Sequence, residues 1–263
     1  KRNMTTQDHV LETDILIVGG SVAGGFAAIK AKEADPSVDI LIVDKGYASK
    51  AGGGGIAGGW WIAWDPKWGR TFEDTKQFAL DIGEYINNQD WLDVQIRESY
   101  DRFKDLASWG APYHQYEDGE PILWPYGPVL TNLRFNSREY LPPMRKKAES
   151  LGIKFMDRIY VTELIMQDGK CQGALCFSTN TGDFYILKAK AVILCAGCSG
   201  FKTPGFMGDF RAGDSEGAAY RAGAEMISRE FGGKEGTAAR EYPNTFVTTG
   251  TIIAKHYINS EGR

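Results

Sequence analysis

Apolar and polar positions divide the chain into a β-α-β opening, a helical middle and a β-rich later part. Asp14-Ile-Leu-Ile-Val18 is a short apolar run with a polar entry and glycines after it, which predicts a buried parallel strand. Gly19 to Gly24 reads as a turn, and Phe26 to Ala34 as a helix that Pro36 stops. Val38 to Val43 is a second buried strand, ending at Asp44.

Further on, Thr71 with Asp74 three residues later resembles a capping box, predicting a helix that runs towards Asn87. A second helix is predicted from about Asp90 to Trp109, closed by Gly110. Residues 111–137 carry prolines and aromatics with little periodicity and read as irregular. Another helix is predicted near Tyr140 to Leu151, with Pro142 and Pro143 in its first turn. From Ile153 the texture becomes β. Segments 153–155, 161–166, 171–178 and 184–188 are separated by turn signals at Asp168-Gly169 and Thr181-Gly182. A buried strand at Ala191–Cys195 follows, then a loop and helix over Gly213–Gly223.

Composition narrows the function classes. A net charge of -4 gives no basic field for nucleic acid or anionic lipid. No apolar run approaches the roughly 20 residues of a membrane span. Four cysteines do not make a secreted disulfide framework, so a cytoplasmic location is expected. The 32 glycines stand out, several of them clustered between Gly52 and Gly59.

The first glycine group, Gly19-Gly-Ser-Val-Ala-Gly24, follows a strand and opens a helix, the setting of a dinucleotide fingerprint. Gly19 permits a tight turn and Gly24 lets the helix pack close to the strand. Backbone N–H groups at the helix start, around Gly20 and Val22, can face a pyrophosphate. Ser21 takes the place of the middle glycine. Asp44 lies where a carboxylate can accept both ribose hydroxyls and disfavour a 2′-phosphate, with Lys45 next to it. The second group, Ser49-Lys-Ala-Gly-Gly-Gly-Gly-Ile-Ala-Gly-Gly59, favours FAD over NAD, because bare backbone can lie against a flat aromatic ring. Trp60, Trp61 and Trp64 follow at once, which argues against a solvent-swollen linker.

These residues, taken in order, resemble the flavoprotein subunits of the succinate dehydrogenase/fumarate reductase family, with adenylylsulfate reductase and L-aspartate oxidase as relatives. Glu12-Thr-Asp-Ile-Leu-Ile-Val-Gly-Gly20 is similar to that family's first strand. Lys188-Ala-Lys-Ala-Val-Ile-Leu-Cys-Ala-Gly197 resembles a later strand, and Gly213 to Glu225 its Gly-Asp-Gly loop and following helix. The resemblance implies an α/β, Rossmann-like FAD-binding domain over residues 12–231, a mostly parallel sheet with helices on one side and a β-meander on the other. Residues 232–263 would begin an α+β capping domain, and the chain would be a C-terminally truncated fragment. It further implies that Gly19, Ser21, Ala23 and Gly24 contact the pyrophosphate and Asp44 the ribose. Ser49, Gly52, Gly53, Gly54 and Gly55 would lie along the flavin and Val161 near the adenine. Ala196, Gly197 and Asp214 would close the pocket, and Gly20, Val22 and Lys45 complete the set.

The family pattern implies two-electron transfer between a small anionic substrate and FAD, with an iron–sulfur subunit serving as electron partner and any membrane association through partner subunits. The departures are specific. Lys50 and Ala51 follow Ser49 where respiratory members carry the histidine that bonds to flavin, so non-covalent FAD is expected. After Glu230-Phe231 the chain reads Gly232-Gly-Lys-Glu-Gly-Thr237, without the Phe-His-Pro-Thr of fumarate-handling members. Dicarboxylate chemistry is therefore not implied, and a non-catalytic FAD-binding electron-transfer subunit stands as the alternative. Arg240 and His256 are the only catalytic candidates offered.

Cys195-Ala-Gly-Cys198 reads as a strand end and a tight turn before it reads as a redox dithiol. No second pair with metal-ligand spacing accompanies it, so no metal site is expected. Trp60, Trp61, Trp64 and Trp68 could shield a flavin, form a partner surface, or pack in the core. His9, His114 and His256 are isolated and read as structural or solvated, and Arg229, Glu230, Lys234 and Arg240 as a solvated charged stretch.

Overall fold

A computed structural model of the chain describes residues 9–56, 59–126, 130–136, 138–197 and 212–227, together with the short pair 237–238 and 246–247. Strand β1 (Val10–Val18), helix α1 (Val22–Ala34) and strand β2 (Ile40–Asp44) form the β-α-β opening. The strands pair in parallel, with Ile15 opposite Ile40 and Val18 opposite Val43. Alternation along them separates two cores, as expected for strands covered on both faces. Ile17, Ile40 and Ile42 face Ala28 and Ile29 of α1, while Leu16, Val18, Leu41 and Val43 face the opposite layer.

Between this unit and the next parallel strand lies the helical layer. It holds a five-residue helix α2 (Gly52–Ile56), strand β3 (Trp60–Ala63), α3 (Phe72–Ile82) and α4 (Gln89–Ser108), then β4 (Trp124–Tyr126), β5 (Leu130–Arg134) and α5 (Leu141–Ser150). Thr71 Oγ1 accepts the Asp74 N–H at 3.0 Å and caps α3, as the sequence spacing predicts. The helix stops at Gly83 rather than running to Asn87, and Asn87 instead folds back to donate to the Ala79 carbonyl. Asn88, two residues before the predicted start at Asp90, caps α4 by accepting the Trp91 N–H. Residues 111–137 are not wholly irregular. β4 and β5 pair with β3 in a three-stranded antiparallel sheet, a long-range closure that leaves no local periodicity to read.

β6 (Lys154–Asp157), β7 (Ile159–Gln167), β8 (Lys170–Ser178) and β9 (Phe184–Leu194) complete a six-stranded sheet in the order β6-β2-β1-β9-β8-β7, and α6 (Asp214–Arg221) packs against β7. The four strands β6, β2, β1 and β9 are parallel and the β7-β8-β9 meander is antiparallel. The segments 184–188 and 191–195, read separately from sequence, are one strand. The first half of β9 pairs with β8 and most of its length with β1, so it carries the chain from meander to parallel sheet. Gly173, at φ 140°, permits that crossing, because a side chain there would strike the Leu187 carbonyl. Helices α1 and α5 cover one face and Ile159, Val161, Ala174 and Cys176 of the meander the other. This is the α/β architecture the sequence implies. Of residues 232–263, only β10 (Thr237–Ala238) and β11 (Phe246–Val247) are described, as an antiparallel pair.

Candidate cofactor site

The turn between β1 and α1 is built by backbone proximity. Gly19 adopts φ 104° and donates to the Val43 carbonyl at 2.8 Å. A side chain at Gly19 would strike the Cys195 carbonyl, one at Gly20 the Ala48 methyl, and one at Gly24 the Gly19 carbonyl. Glycine is therefore required at all three positions by packing. Helix α1 then begins with no acidic residue in its first turn, and the Ser21 side chain makes no cap bond. The leading N–H groups of a helix lack intrahelical partners and favour an anion. Ser21 Oγ is itself buried without a hydrogen-bond partner, a state that costs free energy unless a ligand supplies one.

The second wall comes from the end of β2. Asp44 Oδ2 accepts the Gly20 N–H at 2.8 Å and Oδ1 the Gly46 N–H at 2.7 Å. These two bonds fix the carboxylate at the mouth of the turn and leave each oxygen acceptor capacity for a hydroxyl. Behind it, Asp157 Oδ1 accepts the Ala48 N–H at 2.8 Å, and Arg145 Nη1 reaches the Ala48 carbonyl and both oxygens of Asp157. Lys45 projects the other way, and its Nζ lies 2.8 Å from Asp214 Oδ1 at the start of α6.

Together these walls enclose a cavity of about 710 Å³, within the roughly 300–1,000 Å³ usual for small-molecule and cofactor sites. Gly19, Ser21, Val22, Ala23, Asp44, Lys45, Gly52, Gly53, Gly54, Val161, Ala196, Gly197 and Asp214 all line it. Four of the sequence candidates do not. Gly20 and Gly24 lie behind the surface, where their missing side chains permit the packing just described. Ser49 is 2% exposed, and its N–H donates to the Gly20 carbonyl at 2.8 Å. Gly55 is buried against the Lys50 carbonyl.

The glycine run is not open backbone throughout: Gly52–Ile56 coil into α2. Tyr140, 4% exposed, donates its hydroxyl to the Gly54 carbonyl at 2.6 Å, and burial pushes that phenol up to about 12. The tryptophans after the run do not line the cavity. Trp61 packs tilted against Phe26 and edge-on to Phe135, and its Nε1–H donates to the Ser99 carbonyl; Trp64 packs on Phe72 and Trp68 on Tyr100. Core packing is their role, apart from Trp60, which lies half-exposed against Trp124.

The structure adds lining that sequence reasoning missed: Val18, Val43, Gly46, Ala51, Ile159, Leu194, Cys195 and Ser215. Ser215 Oγ, like Ser21 Oγ, is buried without a partner. Its position directly after Asp214 was the available signal. Cys195 faces the cavity with its thiol pushed up by burial, the opposite of an activated thiolate. His9 packs edge-on to Tyr185, and the His114 backbone donates to the Arg134 carbonyl and accepts the Ile122 N–H. Arg240, His256, Cys198 and the charged stretch at Arg229, Glu230 and Lys234 lie outside the described residues. Among the described residues, no helix is long and apolar enough to cross a membrane, and no cluster of three or more His, Cys, Asp or Glu could hold a metal.

A glycine turn at the carboxyl end of a parallel strand, a free helix N-terminus and a carboxylate closing the second strand define a dinucleotide-binding protein of the α/β class. The two unpartnered hydroxyls facing the same cavity fit a ligand rich in acceptors, as a flavin dinucleotide is. The FAD binding domain family matches residues 14–231, and the chain belongs to that family, with FAD as its cofactor. An uncharacterized FAD-dependent oxidoreductase of Methanocaldococcus jannaschii is 28% identical over 93% of the chain and 44% of its own length. The fumarate reductase flavoprotein subunit of Mycobacterium tuberculosis is 26% identical over 92% of the chain and 41% of its length. Among solved structures, quinol fumarate reductase FrdA of E. coli superposes with a TM-score of 0.71 at 22% identity, covering 81% of this chain and 37% of that one. The chain thus spans less than half the length of these relatives.

Proposed function

We propose that this chain is the cofactor-holding part of a flavin-dependent oxidoreductase of the fumarate reductase/succinate dehydrogenase flavoprotein type. On this reading it serves two-electron transfer between a small anionic substrate and FAD, with an iron–sulfur protein as electron partner. The observation that carries the proposal is the cavity whose walls combine the Gly19–Gly24 turn, the Asp44 carboxylate and the unpartnered Ser21 and Ser215 hydroxyls. When bound, FAD supplies the redox chemistry. The chain binds and orients it: the first turn of α1 meets the pyrophosphate, Asp44 accepts from the ribose, and Ser21 donates to a phosphate oxygen. The meander side chains Ile159 and Val161, both nearly fully buried, exclude water from the opposite wall. Attachment is non-covalent, because Lys50 and Ala51 stand where a flavin-linking histidine would be needed.

Absorbance of the purified protein before and after acid precipitation tests this. Flavin bands that pass into the supernatant support the proposal; bands that stay with the pellet overturn the non-covalent attachment, and no bands at all overturn the cofactor role. The Gly232–Thr237 segment, which lacks a histidine, favours a second reading as a non-catalytic FAD-binding electron-transfer subunit. Titration with small dicarboxylates separates the two. A shift in the flavin spectrum supports a substrate site, and an unchanged spectrum supports the second reading.

A further inference from the structure

We propose that Lys45 and Asp214 form a strap across the cavity rim that governs how fast bound FAD leaves. The inference rests on the reading that FAD fills this cavity. Both residues line it, and their side chains meet at 2.8 Å although 169 residues separate them in sequence. Lys45 follows the end of β2, and Asp214 stands in the first turn of α6. The pair therefore joins two walls of the cavity. Its side chains are 32% and 12% exposed, so it sits at the rim rather than in the floor. Lys45 Nζ also lies 5.7 Å from the centre of the ring of Tyr160, a residue outside the cavity lining, which steadies the ammonium.

The other end of α6 is held independently. Arg221 Nε lies 2.8 Å from Glu163 Oε2, and its Nη2 donates to the Thr162 carbonyl at 2.9 Å, at a register shift in β7. Neither Arg221 nor Glu163 lines the cavity. On this proposal, losing Lys45–Asp214 loosens the cavity end of α6, while Arg221 and the buried Ala218 keep the rest of the helix on β7.

Lys45 is also the only cation among the described lining residues, beside the carboxylates Asp44 and Asp214. It could instead act by attracting the pyrophosphate directly. The two roles make opposite predictions for Asp214→Asn. As a strap, the pair is lost and FAD leaves faster. As a direct phosphate contact, Lys45 is freed from its competitor and FAD leaves more slowly.

The experiment is FAD release from the loaded protein, followed by the recovery of free-flavin fluorescence, at low and high salt. Lys45→Met and Asp214→Asn are each expected to speed release about fivefold, the range of a partly exposed ion pair. The double variant should be no faster than either single one, because both remove the same interaction. High salt should speed release from the wild type and leave the variants unchanged, and Lys45→Arg should behave as wild type. Slower release from Asp214→Asn, or single effects that multiply, overturns the strap while leaving FAD in the cavity. A wild-type chain that binds no FAD overturns the strap and the cofactor reading together.

Discussion

Arg145 and Asp157 meet at 2.9 Å behind the cavity wall, and both also hold the backbone of Ala48, one at its carbonyl and the other at its N–H. Arg145 comes from α5 and Asp157 from the end of β6, so two elements distant from the glycine turn fix the loop that follows Asp44. Both side chains are about one-quarter exposed, which keeps the pair effective against solvent screening. Replacing Asp157 by Ala leaves the Ala48 N–H without its acceptor and takes one carboxylate from Arg145, which keeps Glu149 on its Nε. The expected loss is about 2 kcal/mol of stability, read by urea unfolding, with a parallel fall in flavin content. An Asp157→Ala protein that keeps full flavin occupancy would show that the loop holds its shape without this pair.

Adjacent glycines in α1 should respond differently to alanine. At Gly24 the new methyl meets the Gly19 carbonyl, which is backbone and cannot yield, whereas at Gly25 it meets the flexible end of Met144. Alanine gains about 1 kcal/mol of helix propensity at either site, and overpacking costs roughly 1–3 kcal/mol where the neighbour is rigid. Gly25→Ala is therefore expected to be near neutral in thermal unfolding. Gly24→Ala should melt lower and fail to take up FAD.

Tyr140→Phe keeps the ring stacked on Phe135 and removes the donor to the Gly54 carbonyl. A loss of about 1 kcal/mol is expected near neutral pH. The pH dependence has a definite sign. Burial raises the folded pKa to about 12 from the ordinary tyrosine value of 10.0, so the native state keeps a proton that the unfolded chain releases. The tyrosine's contribution is complete below pH 10 and falls as pH rises towards 12. The stability difference between wild type and Tyr140→Phe, measured by urea titration, should therefore narrow or reverse between those values. A difference independent of pH across that range would mean the phenol is not desolvated as described.

Removing the Ser21 hydroxyl should separate folding from binding. Without ligand the hydroxyl is buried and unpartnered, so Ser21→Ala should leave the apoprotein unchanged or slightly more stable. With FAD, one hydrogen bond is lost, and affinity should fall roughly tenfold, near the value of a hydrogen bond to a charged group. Equal losses in apoprotein stability and FAD affinity would instead assign Ser21 a structural role.

The opening was legible because its determinants are local. A branched apolar run, a glycine turn and a second run ending in an acid specify β1, α1, β2 and the position of Asp44 through steric limits and side-chain alternation alone. The caps of α3 and α4 are local too: Thr71 holds α3 as read from the sequence, and Asn88 holds α4 two residues before the start read there. Glycine marked the positions where packing leaves no room for a side chain: Gly19 against the Cys195 carbonyl, Gly20 against Ala48 and Gly24 against the Gly19 carbonyl, with Gly19 also lining the cavity.

What only the tertiary structure decided depends on partners far away in sequence. Four glycines in a row have the poorest helix propensity short of proline, yet Gly52–Ile56 form α2, with Tyr140 holding the Gly54 carbonyl and Gly54 set closely against Ser21. The sheet of β3, β5 and β4 joins segments about seventy residues apart and leaves no periodicity within either. Ser49, read as a flavin contact, is drawn beneath Gly20 by a backbone hydrogen bond, while Ser215 and Cys195 reach the cavity because α6 and β9 deliver them. Sequence alone thus determined that a dinucleotide turn exists and where its carboxylate stands, since those follow from chain geometry over a few residues. Which side chains share the cavity with it was decided by packing between elements, because proximity across 169 residues, as between Lys45 and Asp214, is set by the whole fold.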